Sequence, residues 1–279
     1  MSESLPMAAP SARAHVAVGL ALGAAALGTL LGGRVPLSAF LAVVFVAAYV
    51  DLRGLLAPWG HVVTTAIGAI GTAGFLWAGY SGRLELLAGT AAALVVALLV
   101  TRVLLHEISD RASGTTEDIA ATLAASAVAG VLGAHVLLIR SVPRLGFRAV
   151  LAFGLMVIGN DVVAFFAGRL RGRRRLAPTL SPAKTWAGAI AGFATSVIVG
   201  LIAGLVWDPP FDLRSGLALG AAMGVLAITG DLVFSGLKRS AGAKASNTYL
   251  GPIGGALDAV DSVLFAAPAF YWALRTLAL

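Results

Sequence analysis

Long apolar runs, broken by short polar stretches, fill almost the whole chain, and their length predicts helices that cross a membrane. Continuous apolar stretches fall at about 14–32, 36–50, 62–80, 85–105, 119–139, 147–167, 187–207, 215–237 and 259–277. Each is close to the ~20 residues that an α-helix needs to cross a hydrocarbon core ~30 Å thick. The expected fold is therefore all-α, a polytopic integral membrane protein with about nine transmembrane helices. The second run is the shortest, with Asp51 and Arg53 at its end. The charges predict that it stops there and tilts or dips into the bilayer, which would reduce the count to eight. The run Val16–Leu31 has the character of a signal-peptide core, but the many spans that follow make it the first membrane helix.

Composition agrees. Hydrophobic residues make up 59% of the 279 and charged residues only 12%, against roughly 25% charged in soluble domains. A water-soluble fold could not hide so much apolar surface. There is no cysteine, which excludes disulfides, thiolate zinc sites and a cysteine nucleophile, and four scattered histidines do not make a His-rich metal site. The net charge of +7 reads as basic loops on one side of a membrane, so no nucleic-acid partner is expected. With nine spans, 13 of the 20 Lys and Arg residues share the side of the N-terminus, Arg53, Arg111 and the cluster Arg169–Arg175 among them. That asymmetry predicts a cytoplasmic N-terminus, cytoplasmic polar loops and a cell inner or plasma membrane. Glycines four apart, such as Gly28 and Gly32 or Gly200 and Gly204, predict close helix packing and no chemistry.

The chain divides into N-terminal membrane helices over 1–140 and a C-terminal region over 141–279 where charge reappears at membrane depth. In GNDVVAFFAGRLRGRRRLAPTLSPAKTWAG, Asp161 lies in an apolar helix, where a carboxylate is costly unless paired or solvated. It serves either a site or a structural ion pair with a nearby Arg. The basic loop after it also suits an anchor on anionic lipid headgroups. Ser181 and Pro182 read as a helix cap and first turn, which puts Lys184 near a positive helix end. A cation belongs there if an anion such as phosphate sits between them.

In AITGDLVFSGLKRSAGAKASN, Asp231, Ser235, Lys238 and Arg239 follow at spacings of four, seven and eight, which predicts one helical stripe of carboxylate, hydroxyl and cations. In YLGPIGGALDAVDSVLF, a Gly/Pro turn leads into a helix carrying Asp258 and Asp261 three apart. Carboxylates at a helix start also complement its dipole. With Asp231, however, they form the oxygen-rich set that Mg²⁺ accepts alongside substrate phosphates.

These motifs resemble the phosphatidate cytidylyltransferase family, the CDP-diacylglycerol synthases. The family signature is matched at Ser235, Lys238, Arg239, Lys244, Gly254, Gly255, Asp258 and Asp261, and SPAKTWAG resembles its upstream Ser-Pro-x-Lys-Thr-Trp motif. Resemblance covers about residues 155–275. Three positions depart: Ala245 stands for the family's Asp, Ile253 for its His and Ala259 for its Arg.

The resemblance implies transfer of a cytidylyl group from CTP to phosphatidate. Asp231, Asp258 and Asp261 would hold Mg²⁺, alone or with a monovalent cation. Lys238, Arg239 and Lys244 would hold phosphates, helped by Lys184 and Ser181, with Asp161 behind them and Ser235 in the same stripe. It also implies a homodimer. Three alternatives stay open: another lipid phosphate as acceptor, a catalytically weak membrane scaffold, and a transporter, against which the absence of a clear inverted repeat speaks.

Overall fold

The apolar runs become helices along the whole chain. The computed structural model describes residues 12–57, 62–108, 116–207 and 212–278. Arg111 and the first 11 residues lie outside them. The helices are α1 (Ala12–Leu31), α2 (Arg34–Leu56), α3 (Val62–Ser81), α4 (Glu85–Ile108), α5 (Thr116–Ser126), α6 (Gly133–Ser141), α7 (Gly146–Arg171), α8 (Trp186–Val206), α9 (Leu213–Ser240) and α10 (Ala256–Ala278). α5 and α6 are joined through a π-helical stretch, Ala127–Leu132, into one 26-residue rod. Nine rods therefore stand among the described residues, eight of them long and apolar enough to cross a membrane.

α2 is not short: its 23 residues exceed the 20 of α1 and of α3. α1 packs along α2 and reaches the turn at Gly251–Ile253. α2 runs on through Asp51 and Arg53 because both side chains point into protein, each only 3% exposed. The Arg53 guanidinium pairs with Asp118 on α5, and that carboxylate also accepts from the Thr64 hydroxyl at 2.6 Å. Charges satisfied inside the bundle need not end a membrane helix.

Consecutive rods alternate in direction, so the ends of α2, α7 and α9 and the starts of α5, α8 and α10 gather at one end of the bundle. The core between α2, α6, α7, α9 and α10 is filled by Phe45, Tyr49, Phe153, Met156, Met223, Leu257 and Phe270. Outward faces carry exposed Val43, Ile70, Ile190 and Leu205, as a lipid-facing surface requires.

α8 and α9 touch backbone to backbone: a methyl group on Gly200 would collide with the Gly216 carbonyl, so this glycine pair sets the closeness of the two helices. The expectation fails for Gly28, beside which nothing lies within 4 Å. α9 opens on a capping box in which Asp212 accepts from the Ser215 N–H at 2.7 Å.

Between α7 and α8 the chain forms a small antiparallel hairpin, β1 (Arg175–Ala177) with β2 (Ser181–Thr185), registered Arg175 to Thr185 and Ala177 to Ser181. This corrects the expected helix start. Ser181 and Pro182 are strand residues, and the cap of α8 is Thr185, whose hydroxyl accepts from the Gly188 N–H at 3.2 Å. Backbone pairing with β1, distant from the cap in sequence, overrides the local Ser-Pro signal.

Candidate active site

Four segments converge where α7, α9 and α10 meet the loop 241–255. Their polar side chains line an open cavity of about 700 Å³. Asp161 enters from α7, Asp231 and Lys238 from α9, and Asp258 and Asp261 from α10, while Lys244, Asn247 and Thr248 come from the loop. Asp231 and Lys238 lie seven residues apart on α9, about 20° apart around its axis, which is why one face presents both.

Lys238 is the hub. Only 7% exposed, its ammonium donates to Asp258 at 2.5 Å and stands 3.7 Å from Asp261. A buried cation is tolerable because two carboxylates surround it. Lys184, two residues ahead of α8, pairs with Asp231, so the anion that this lysine faces is a carboxylate of the protein. The Ser235 hydroxyl donates to the same Asp231 at 3.3 Å.

Asp258 differs from the other carboxylates of the cavity because its oxygens are taken. Besides Lys238 it accepts from the Ser246 N–H and hydroxyl, both at 2.8 Å, and from the Gly255 N–H at 2.9 Å. It thus fastens the loop to the first turn of α10, and its last bond is the reach-back of a third helical residue to the cap N–H. Gly254 sits at φ 109, where a side chain is strained, and a Cβ there would also strike the Asp258 carboxylate.

Asp161, Asp231 and Asp261 stand within electrostatic range of one another, with Lys184, Lys238 and the Ser262 hydroxyl near them. Among the described residues no three carboxylates or imidazoles form a ready-made metal cage. The donor set still suits Mg²⁺, which uses one or two carboxylates and takes its remaining ligands from water and substrate phosphate. The two lysines neutralise three acids only in part.

Asp161 is held in register by its neighbour Asn160, which is fully buried and donates to the Ser196 hydroxyl at 3.1 Å and the Gly224 carbonyl at 3.3 Å. The Ser196 hydroxyl in turn donates to the Met156 carbonyl at 2.7 Å. One side chain thus ties α7 to α8 and α9 beside the site.

Four expected residues lie outside the cavity lining: Lys184 and Ser235 reach it only through Asp231, and Arg239 and Ser181 not at all. Arg239 turns out of the cavity, donating to the Leu180 carbonyl at 3.4 Å and the Ala243 carbonyl at 3.1 Å. A spacing of eight leaves it ~80° around α9 from Asp231, too far to share the stripe. Ser181 stays in β2, outside the cavity lining. Of the three departures from the family motif, Ala245 and Ile253 line the cavity, whereas Ala259 is exposed.

Motif reasoning also missed Asp51, which reaches the loop from α2, and with it Ser246, Asn247 and Tyr249. The only sequence signal for Asp51 was a carboxylate at the edge of an apolar run. The Tyr249 ring is half exposed, but its hydroxyl donates to Asp51 at 2.9 Å and accepts from the Ala256 N–H at 2.8 Å. Desolvation, with the Asp51 and Asp258 carboxylates adding to it against the lowering effect of the Ala256 N–H, pushes this phenol up to about 12. It therefore remains a protonated donor at physiological pH.

The chain is similar to known proteins. The chain is 41% identical over 122 residues to the phosphatidate cytidylyltransferase of Pseudomonas aeruginosa (43% of this chain, 45% of that protein). It is 34% identical over 122 residues to the phosphatidate cytidylyltransferase of Helicobacter pylori (44% and 45%). It is also 37% identical over 116 residues to the uncharacterized protein YnbB of Escherichia coli (42% and 39%). Each match thus spans less than half of the relative's length. The model of the cytidylyltransferase family, by contrast, matches residues 13–277, nearly the whole chain. That match runs from the first helix to the last, and the chain belongs to the cytidylyltransferase family.

Proposed function

We propose that the protein transfers a cytidylyl group from CTP to phosphatidate, giving CDP-diacylglycerol and pyrophosphate. The observation that carries this reading is the cavity at one end of a membrane bundle in which Lys238 and Lys244 stand beside three mutually close carboxylates, one of them, Asp231, paired with Lys184. Polyphosphate chemistry needs cations and a divalent metal in one place, and a lipid acceptor needs that place at membrane level. The family membership and the names of the relatives point to the same reaction.

An oxygen of the lipid phosphate attacks the α-phosphorus of CTP, a new P–O bond forms, and the bond from that phosphorus to the β-phosphate bridge breaks. Pyrophosphate leaves with the bonding electrons. The attacking phosphate is already anionic, so no general base is required, and the protein's task is positioning and charge neutralisation. Asp231 and Asp261, with Asp161 behind them, would hold Mg²⁺, alone or with a monovalent cation. Bound Mg²⁺ neutralises phosphate oxygens and the departing pyrophosphate.

Lys238 and Lys184 are pre-placed on carboxylates and exchange those partners for phosphate oxygens when nucleotide enters. Lys244, exposed on the cavity wall, meets the nucleotide first. Asp258 positions the loop and Lys238, a different role from ligating metal. Excess Lys and Arg at this end of the bundle supports a cytoplasmic site in the inner or plasma membrane, where CTP is available. The working form proposed is a homodimer among membrane lipids.

The deciding assay uses purified protein in detergent with CTP, Mg²⁺ and a panel of lipid phosphates, scored by pyrophosphate release. Release with phosphatidate is the expected result. Release only with an isoprenoid-linked or ether-lipid phosphate would move the acceptor, and no release with any of them would sink the enzymatic reading in favour of a scaffold.

A further expectation concerns Ala245, whose Cβ lies beside Gly254 in the cavity wall. Ala245→Asp adds a carboxylate there and should lower the Mg²⁺ concentration for half-maximal activity by roughly tenfold, equivalent to ~1.4 kcal/mol of added metal affinity. An unchanged Mg²⁺ titration would remove position 245 from metal binding.

A further inference from the structure

We propose that Asp51, on the second helix of the N-terminal half, is a positioning residue of the active site: it caps α10 from outside and fixes the loop that carries Lys244 and Asn247. Asp51 is 3% exposed, yet among the described residues no Lys or Arg pairs with it. Arg53, two residues on, pairs instead with Asp118. What balances the Asp51 carboxylate is a ring of donors from one distant segment: the Tyr249 hydroxyl at 2.9 Å, the Asn247 amide at 3.1 Å, the Leu257 N–H at 3.2 Å and the Ser246 hydroxyl at 3.4 Å. A buried carboxylate kept by neutral donors has a cost that only the complete set offsets.

The start of α10 explains what the set accomplishes. The first N–H groups of a helix have no partners within it, and glycine at 255 has no side chain to cap them. Here three are met by side chains: Gly255 N–H by Asp258 of the helix itself, and, from outside it, Ala256 N–H by the Tyr249 hydroxyl and Leu257 N–H by Asp51. Two of the three depend on Asp51, one directly and one through Tyr249. Its negative charge also faces the positive end of the helix dipole. Gly255 fits the same scheme, because a Cβ at this position would collide with Asp51 Oδ2. The helix that presents Asp258 and Asp261, and the loop that presents Asn247, are thereby referenced to α2.

The kinetic part of this inference rests on the cytidylyl-transfer reading; the structural part does not. Asp51→Ala and Asp51→Asn are compared with wild type by hydrogen exchange in detergent and, where activity is present, by steady-state kinetics. Asp51→Ala should raise amide exchange over 244–257 about tenfold or more, leave α3, α4 and α8 unchanged, and raise KM for CTP by about tenfold with a smaller fall in kcat. Asp51→Asn, which keeps one acceptor oxygen for Tyr249 and Leu257, should recover most of both.

Tyr249→Phe removes a single donor and should give a smaller rise confined to the same segment, so the test survives if Asp51→Ala does not fold. Unchanged exchange over 244–257 in Asp51→Ala, or in Tyr249→Phe where that variant alone folds, overturns the proposal. So does a rise spread over all helices, or an Asp51→Asn variant as impaired as Asp51→Ala. A wild type inert toward CTP would sink the cytidylyl-transfer reading while leaving the exchange result to decide the role of Asp51.

Discussion

Asp261→Asn is expected to reduce incorporation of labelled CTP into lipid by ~100-fold or more while making the metal-free protein more resistant to heat. The two effects have opposite signs because Asp261 does little for the fold. Its hydrogen bonds are to the N–H and hydroxyl of the adjacent Ser262, at 2.7 and 3.5 Å, and Lys238 stands 3.7 Å away while donating to Asp258 at 2.5 Å. Against that weak attraction stands repulsion from the nearby Asp161 and Asp231 carboxylates, acting on a side chain only 7% exposed. Removing one negative charge relieves it. A residue retained at a cost to stability is the signature of function.

Metal adds a second readout. Saturating Mg²⁺ with CTP should raise the melting temperature of the wild type, by linkage worth ~2.7 kcal/mol at a hundred times Kd, and should do so far less in Asp261→Asn. Full activity in the variant would exclude Asp261 from the metal set. A sharp fall in melting temperature would show instead that its pairing with Lys238 is structural.

The helices were readable because membrane spans announce themselves by length and continuity of apolar residues, and neither depends on tertiary context. Lys238, Asp258 and Asp261 were readable for a different reason: fixed spacing within two helices determines which side chains share a face. The limits of that logic are visible at Arg239, one residue past Lys238 and therefore turned by ~100° toward the hairpin. Ser181 misleads because its strand partner, Ala177, is set by backbone pairing and not by its own capping preference. Asp51 was illegible in principle. Every donor that satisfies it lies some 195–206 residues later, so the local sequence shows only a charge at the edge of an apolar run. The charges predict an end to α2 there because the donors and the carboxylate that compensate them lie far away in sequence.

Lys238→Met is the complementary case, in which activity and stability should fall together. Methionine matches the length of the lysine stem but leaves Asp258 and Asp261 as buried carboxylates without a cation. Breaking one partner of a buried pair costs ~3–5 kcal/mol, most of it the penalty on the charge left behind. If that account is right, the damage to stability belongs to the stranded charge and not to the lost contact, so neutralising the carboxylate should repair it. The double variant Lys238→Met with Asp258→Asn should therefore melt closer to the wild type than Lys238→Met alone, a non-additivity of the kind expected for directly bonded residues. Activity should not return, because the ammonium that neutralises phosphate is still missing. Additive losses of stability in the double variant would mean that Asp258 serves chiefly through Ser246 and Gly255, holding the loop independently of Lys238. Recovery of activity without recovery of stability would contradict the assignment of Lys238 to the nucleotide, since an apolar side chain cannot stand in for a cation beside a triphosphate.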